Sequence, residues 1–371
     1  MSAGLDAAAC ERRVQRLRVA LAAAGVDMLL IDDAVDLRYL TGFSGSSGLA
    51  LVSTEPDGPL RFLTDFRYTA QSEREVSEAF ERETVSGELY DALPALLGPA
   101  PGRLGFDEAK LTVRGHRRLG VLLAGGWEPV PCAGLFEGLR AIKEPREIAS
   151  IAAACELADE ALRRTLEEGL AGRTEREVAF ELETRMRRLG AEAPSFPSIV
   201  AAAEHGALPH AQPRDVEIPA DVLVTIDWGC QLEGYCSDCT RTYATGEAIG
   251  ERQREVYELV LKAQLAGLDA VAAGPTGREV DAAARNVIEE AGEGAHFGHG
   301  LGHGVGMEVH EAPRLSRTAG PEPLMEGNVV SVEPGVYLPG MLGVRIEDLV
   351  VVRAGGAEAL TRLSKALTVI G

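Results

Sequence analysis

At 371 residues the chain is long enough for about two domains, and with 46% apolar and 25% charged residues each can bury a core without disulfides. Its 57 acidic against 37 basic side chains leave a formal charge of -20, which repels a phosphate backbone and sets nucleic-acid binding aside. No stretch approaches the roughly 18 uninterrupted apolar residues of a membrane span, so no bilayer crossing is expected. From the N-terminus, Arg12, Arg13, Arg16 and Arg18 precede the apolar run at 19–26 and superficially copy a secretory signal. Val14, Leu17, Leu21 and Ala24, however, recur at spacings of three and four with Glu11 beside them, which predicts one face of an amphipathic helix. The cysteines, spread irregularly from Cys10 to Cys239, form no framework of the secreted kind, and a reducing cytoplasm is the expected location.

Continuing along the chain, the pattern predicts a buried strand at 27–31, an apolar segment at 37–40, a glycine-serine turn at 41–48, strands at 49–53 and 60–64, and helices at 69–82 and 109–124. This reads as an α/β domain over residues 1–137. A second, α+β domain over residues 138–371 opens with a long helix whose first turn holds Glu144, Pro145 and Glu147, suited to the positive helix end. Ile148, Ile151, Cys155, Ala158, Leu162 and Leu166 give it one apolar face. Thr174 with Glu177 and Thr276 with Glu279 read as capping boxes, and another apolar stripe runs from Val256 through Leu259, Val260 and Ala263. Strands are expected at 222–228, 240–244, 329–332 and 344–352, and there is no short-period repeat.

Acidic and imidazole side chains stand in this second domain where apolar ones belong. Asp227 ends an apolar strand, Asp238 follows in Cys-Ser-Asp-Cys-Thr-Arg-Thr, Glu333 interrupts a valine run before Pro334, and Glu347 sits in Val-Arg-Ile-Glu-Asp. A buried carboxylate without a partner costs several kcal/mol, so such a group needs a cation or donors. Strand alternation puts Arg345 and Glu347 on one face, and Val344, Ile346 and Asp348 on the other. Glycines at 298, 300, 302, 304 and 306 rule out a helix for the segment carrying His299 and His303, so these are not the paired ligands of a helical zinc protease. Four carboxylates and one imidazole suit manganese, cobalt or iron better than a thiolate zinc site, and so many acids balance two divalent ions better than one. Such a pair is equipment for hydrolysis. Cys236 and Cys239 lack the second pair of a zinc ribbon; the turn at 41–48 lacks the end of a phosphate loop and misses the serine-hydrolase elbow.

The order Asp227, Asp238, His303, Glu333, Glu347, set in Asp-x-Gly, Ser-Asp-x-Thr-Arg-Thr, Gly-His-Gly-x-Gly-His, Val-Glu-Pro-Gly and Val-Arg-Ile-Glu-Asp, resembles the pita-bread metallopeptidases. Within them it looks most like Xaa-Pro aminopeptidase and its sibling Xaa-Pro dipeptidase, prolidase. Tyr39 to Ser46 and Thr64 to Tyr68 look like that family's creatinase-type N-terminal domain, so the resemblance spans essentially the whole chain. It implies a pita-bread catalytic domain and two divalent ions, manganese foremost, with cobalt, zinc or iron as alternatives. Asp227 would chelate one ion, Asp238 and Glu347 would bridge both, and His303 with Glu333 would complete the second. Glu333 would also handle the proton of the attacking water, His299 would bind substrate, His310 would stabilise the oxyanion, and His210 would be the third active-site imidazole. Arg345 would orient Glu347 or Asp238. His205 and His296 match nothing in the motif.

The implied reaction is hydrolysis of the bond between an N-terminal residue and a following proline in short peptides, by a homodimer. The turn at 41–48 looks more like the aminopeptidase; the alternative is the dipeptidase, which must recognise the free carboxylate of its terminal proline, a group Arg38 or Arg67 could pair. Creatinase lacks the ligand set, methionine aminopeptidase lacks so large an N-terminal domain, and a catalytically silent peptide clamp would carry substituted ligands.

Overall fold

Asp6 caps the first helix and accepts the Ala8 amide; Gly25, in the left-handed region, ends it. That helix, Ala7–Ala24, buries Val14, Leu17 and Leu21, the face its spacing predicts. The computed structural model describes residues 6–124 and 126–371, and the chain divides into two units between Leu139 and Arg140.

The first unit is built on a six-stranded sheet, in spatial order Glu81–Val85, Leu60–Asp65, Gly48–Ser53, Met28–Ile31, Gly102–Asp107, Trp127–Cys132. The middle strands are buried along nearly their whole length, which is why they read as continuous apolar runs. The helix expected at 69–82 stops at Glu75, where Val76 turns extended, and residues Glu81–Val85 instead pair in parallel with Leu60–Asp65. This exposed edge, Glu-Arg-Glu-Thr-Val, has no apolar period; its backbone bonds come from a distant strand, a partner no local pattern reveals.

In the second unit the helix Pro145–Leu166 begins at a capping box formed by Glu144 and Glu147, and Glu175–Leu189 and Gly277–Glu290 begin at the boxes of Thr174 and Thr276. One three-stranded sheet runs Cys239–Ala244, Leu223–Trp228, Ile199–Ala202; a five-stranded one runs Glu311–Leu315, Gly302–Gly304, Val329–Val332, Asp348–Arg353, Gly356–Ala359. Helices pack on both: Ala158, Leu162, Val178 and Leu182 bury against Val224, Ile226 and Trp228, and Val256, Val260, Val280 and Ala284 against Val330, Val332 and Val350. Trp228, fully buried, donates its indole N–H to the Ala158 carbonyl and so ties the long helix to the strand carrying Asp227.

The strand expected over 344–352 is two strands. Leu342–Arg345 pairs in a hairpin with Gly335–Leu338, whereas Asp348–Arg353 joins the five-stranded sheet, leaving Ile346 and Glu347 between them. The apolar run is continuous because both pieces are buried, so hydropathy does not mark the change of partner. All six cysteines are buried and unpaired, and no helix among the described residues is long and apolar enough to cross a membrane.

Candidate metal centre

Antiparallel pairing sets Asp227 opposite Thr240, near the ends of neighbouring strands, with Asp238 just before the second strand. Glu347 enters from the gap between its two strands, its amide held by the Thr240 carbonyl at 3.0 Å. Asp227, Asp238 and Glu347 thereby each present an oxygen within 4.8 Å of the others. His303 Nε2 lies 3.2 Å from Glu333 Oε1 and 3.7 Å from Asp238 Oδ2, which joins the remaining two residues of the sequence-derived set to the cluster.

The donor atoms fit divalent cations. Asp227 Oδ1 and Glu347 Oε1 are buried without any hydrogen-bond partner, while the other oxygen of each is taken: Arg345 Nη2 donates to Asp227 Oδ2 at 2.7 Å and the Thr240 hydroxyl to Glu347 Oε2 at 2.8 Å. One oxygen of each acid is thus fixed by protein and the other left for an ion. His303 donates Nδ1–H to the Gly304 carbonyl at 3.1 Å, which turns Nε2 toward the acids: without an ion the protonated ring donates to Glu333, and on losing that proton it offers Nε2 as a ligand. Burial, and then mutual repulsion, drive the carboxyls of Asp238 and Glu347 well above the usual carboxylate range. Asp227 is raised by burial too, against the opposing charge of Arg345. Burial also works on Glu333, but the hydrogen bond and charge of His303 outweigh it and hold that carboxyl low. A group of acids that cannot all ionise alone is what bound cations relieve.

Arg345 meets its expected acid only indirectly. It touches neither Glu347 nor Asp238 by hydrogen bond; it grips Asp227, reaches Glu347 only through the Thr240 hydroxyl, at 3.0 Å, and holds the Tyr337 hydroxyl at 2.9 Å. That hydroxyl stands 2.9 Å from His299 Nε2, and since His299 Nδ1–H is spent on the Gly300 carbonyl, Nε2 accepts from the tyrosine. The His310 ring meets the His303 ring edge-on at 4.3 Å, and burial lowers the pKa of both His299 and His310. His210 is exposed, and its neighbour Pro209 accepts from Arg345 Nη1 at 3.3 Å. His296 pairs with Glu293 at 2.6 Å, and Arg67 is bound by Asp65 through Nε and Nη2, each at 2.8 Å.

Sequence reasoning missed Thr240, Ser331 and Tyr337. Ser331 donates to Glu333 Oε1 at 3.0 Å and accepts the His303 amide at 3.1 Å. Thr240 lies two residues after Asp238 and Ser331 two before Glu333, so period-two alternation places each on its acid's face and was a usable signal. Tyr337 had none, because it acts from the opposite strand of a hairpin.

Residues 149–354 match the model of metallopeptidase family M24, and residues 13–142 match the creatinase/prolidase N-terminal domain. The chain belongs to metallopeptidase family M24, and is a hydrolase with a creatinase N-terminal domain before a pita-bread catalytic domain. It is 36% identical to a protein named Xaa-Pro dipeptidase in Pyrococcus horikoshii, over 92% of this chain and 94% of that one. Among solved structures it resembles an Xaa-Pro dipeptidase from Bacillus anthracis (TM-score 0.91, 38% identity, 97% of this chain and 99% of that one). It also resembles an X-Pro aminopeptidase from Thermotoga maritima (TM-score 0.87, 35% identity, 95% of this chain and 100% of that one).

Proposed function

We propose that this metallo-exopeptidase is an Xaa-Pro dipeptidase, hydrolysing the single peptide bond of dipeptides that end in proline. The observation that carries the chemistry is the convergence of Asp227, Asp238 and Glu347 on one another, with Glu333 and His303 beside them. Similarity along nearly the whole chain to two proteins named dipeptidase supports the length preference, and outweighs the turn at 41–48, which resembles the aminopeptidases. The likeness to the Thermotoga aminopeptidase supports a second reading, removal of the first residue from longer Xaa-Pro peptides.

Asp227, Asp238, His303, Glu333 and Glu347 would hold two divalent ions, manganese first among them on the oxygen-rich donor set. Such ions, when bound, supply Lewis acidity toward the scissile carbonyl and lower the pKa of water. Glu333 takes the proton of the attacking water and delivers it to the prolyl nitrogen as the C–N bond breaks. His310 donates to the carbonyl oxygen as negative charge develops there. His299, its tautomer set by Gly300 and Tyr337, and the exposed His210 bind the substrate around the reacting bond. Arg345 keeps the Asp227 carboxylate turned toward the cluster. The unpaired, buried cysteines suit a reducing cytoplasm, and a homodimer is the proposed assembly.

The test is a paired assay of Ala-Pro and Ala-Pro-Ala, on protein stripped of metal and reloaded with manganese, cobalt, zinc or iron. Cleavage of Ala-Pro alone is the expected result. Cleavage of both makes it an aminopeptidase, and cleavage of neither with any of these ions overturns the peptidase reading for proline substrates.

A further inference from the structure

The three imidazoles assigned above to substrate and oxyanion, outside the proposed ligand set, lie on irregular segments. His210 follows a short 3-10 turn, Ala203–Ala207; His299 lies in the glycine-rich stretch before the strand Gly302–Gly304; and His310 ends the loop after it. Such segments do not hold a ring in place through their own backbone.

Each is bound instead to a buried carboxylate paired with an arginine. Glu175, whose side chain is 1% exposed, accepts from Arg214 through Nε at 3.1 Å and Nη2 at 3.0 Å. It also takes the Ala202 amide at 3.0 Å, the Arg214 amide at 2.9 Å and the ring of His205, so it bonds the chain on both sides of His210. Asp281 accepts from Arg285 at 2.7 and 2.8 Å and takes the Leu301 amide at 3.0 Å. The same guanidinium donates to the carbonyls of Phe297 at 2.9 Å and His299 at 2.7 Å, stacked 4.0 Å over the Phe297 ring. Glu311 lies between Arg140 and Lys143, the latter 3.1 Å from Oε2, and accepts the Glu308 amide at 3.0 Å. Arg140 also holds the Glu308 carboxylate at 2.8 Å, so the loop ending at His310 is drawn around one buried charge cluster.

Stability does not account for the three. Buried ion pairs are weak stabilisers, and well-packed apolar residues of similar volume commonly do as well. What these pairs add is direction: every one bonds main-chain groups on the segment that carries its imidazole, and satisfies donors or acceptors that no strand or helix serves. We propose that Glu175–Arg214, Asp281–Arg285 and Glu311–Arg140 are positioning clamps for His210, His299 and His310 respectively, each setting one ring independently of the others. The inference rests on the roles proposed above for those three imidazoles.

The experiment uses full-length protein with carbon-13-labelled histidine. Imidazole signals are recorded metal-free and zinc-loaded, and the seven histidines are assigned by single His→Gln substitutions. The variants are Glu175→Gln, Asp281→Asn and Glu311→Gln. Arg214→Lys, Arg285→Lys and Arg140→Lys keep the charge while losing the fork, and serve where a neutral variant does not fold. Each variant is expected to shift or broaden its own imidazole signal and leave the other two in place, with metal affinity within about threefold of wild type. With manganese, loosening the His310 clamp should lower kcat by about ten- to a hundredfold at nearly constant KM, whereas loosening the other two should raise KM by about tenfold. Signals of all three rings moving together would mean general loosening, and would overturn the proposal. Selective shifts with unchanged kcat and KM would overturn it as well. In that case His299→Ala and His310→Ala separate the two claims: full activity in both sinks the site reading, and lost activity leaves that reading standing without the clamps.

Discussion

Arg345 Nη2 lies 2.7 Å from Asp227 Oδ2, and that contact decides which oxygen of Asp227 remains for a cation, because Oδ1 has no partner of its own. The same guanidinium bonds Thr240, whose hydroxyl fixes Glu347, so one planar group orients two acids from separate parts of the chain. A lysine keeps the charge but cannot reach Asp227, Thr240 and Tyr337 at once. Arg345→Lys is therefore expected to weaken manganese binding by about ten- to a hundredfold, measured by calorimetric titration of the stripped protein. Unaltered affinity would show that Asp227 needs no such support.

The five acid and imidazole positions were legible in the sequence because each violates its surroundings: an acid inside an apolar strand, or a histidine among glycines. Their convergence was not, since Asp227 and His303 come from separate strands and Glu347 from the gap between two others, and the pairing of those strands depends on contacts far apart in the chain. The split of residues 342–353 into strands of two sheets is the clearest loss. Val344 and Ile346 both belong to one apolar core, so hydropathy stays high through the break that admits Glu347. His205 stayed unread for the opposite reason: its partner Glu175 sits thirty residues away, on a helix whose capping box explained that sequence already.

Asp238 and Glu347 carry carboxyls raised well above their ordinary range, by burial first and then by neighbouring acids: Glu347, Asp227 and Glu333 act on Asp238, and Glu333 and Asp227 on Glu347. A raised folded-state pKa gives stability that is complete below the unfolded value and is lost as pH rises through the folded one. Metal-free protein should therefore lose melting temperature as pH rises above the ordinary carboxylate range toward alkaline values, and recover it when manganese is added. Asp238→Asn should flatten that decline in the metal-free state while abolishing turnover with every metal. Thermal scans across this range check the first point and a peptide assay the second; a wild-type curve that rises with pH would be inconsistent with clustered, protonated acids.

Gly302 brings the strand that carries His303 against its neighbour so closely that a Cβ there would collide with the Ser331 carbonyl. Since Ser331 fixes both the His303 amide and Glu333, displacing it moves two candidate ligands together. Gly302→Ala should cost ~1–3 kcal/mol of stability, as overpacking does, and weaken metal binding beyond what that loss explains. Gly120→Ala, on an exposed helix of the first unit with open space at its Cβ, is the control and should be neutral or slightly stabilising. Denaturant melts and manganese titrations of both variants separate the effects.

Asp159 lies on the long helix, accepts the Arg362 amide at 2.8 Å and leaves Oδ1 buried with no partner. Burial raises its carboxyl from 3.8 to about 6, against the opposing hydrogen bond from Arg362. Its contribution to stability is complete below the unfolded value and disappears as pH rises through about 6. A shift of that size corresponds to ~3 kcal/mol between the two limits. Asn keeps an acceptor for Arg362 and cannot ionise, so Asp159→Asn should leave acid stability nearly unchanged and raise stability at about pH 8 by a sizeable part of that amount. Manganese-loaded protein is the right sample, because the ions hold the acids of the centre ionised and remove their own titration from the curve. Denaturant midpoints of the two proteins should then diverge as pH rises from about 5 to about 8. Parallel curves would mean that Asp159 is already ionised, with its charge met by Arg241 across the helix–strand contact.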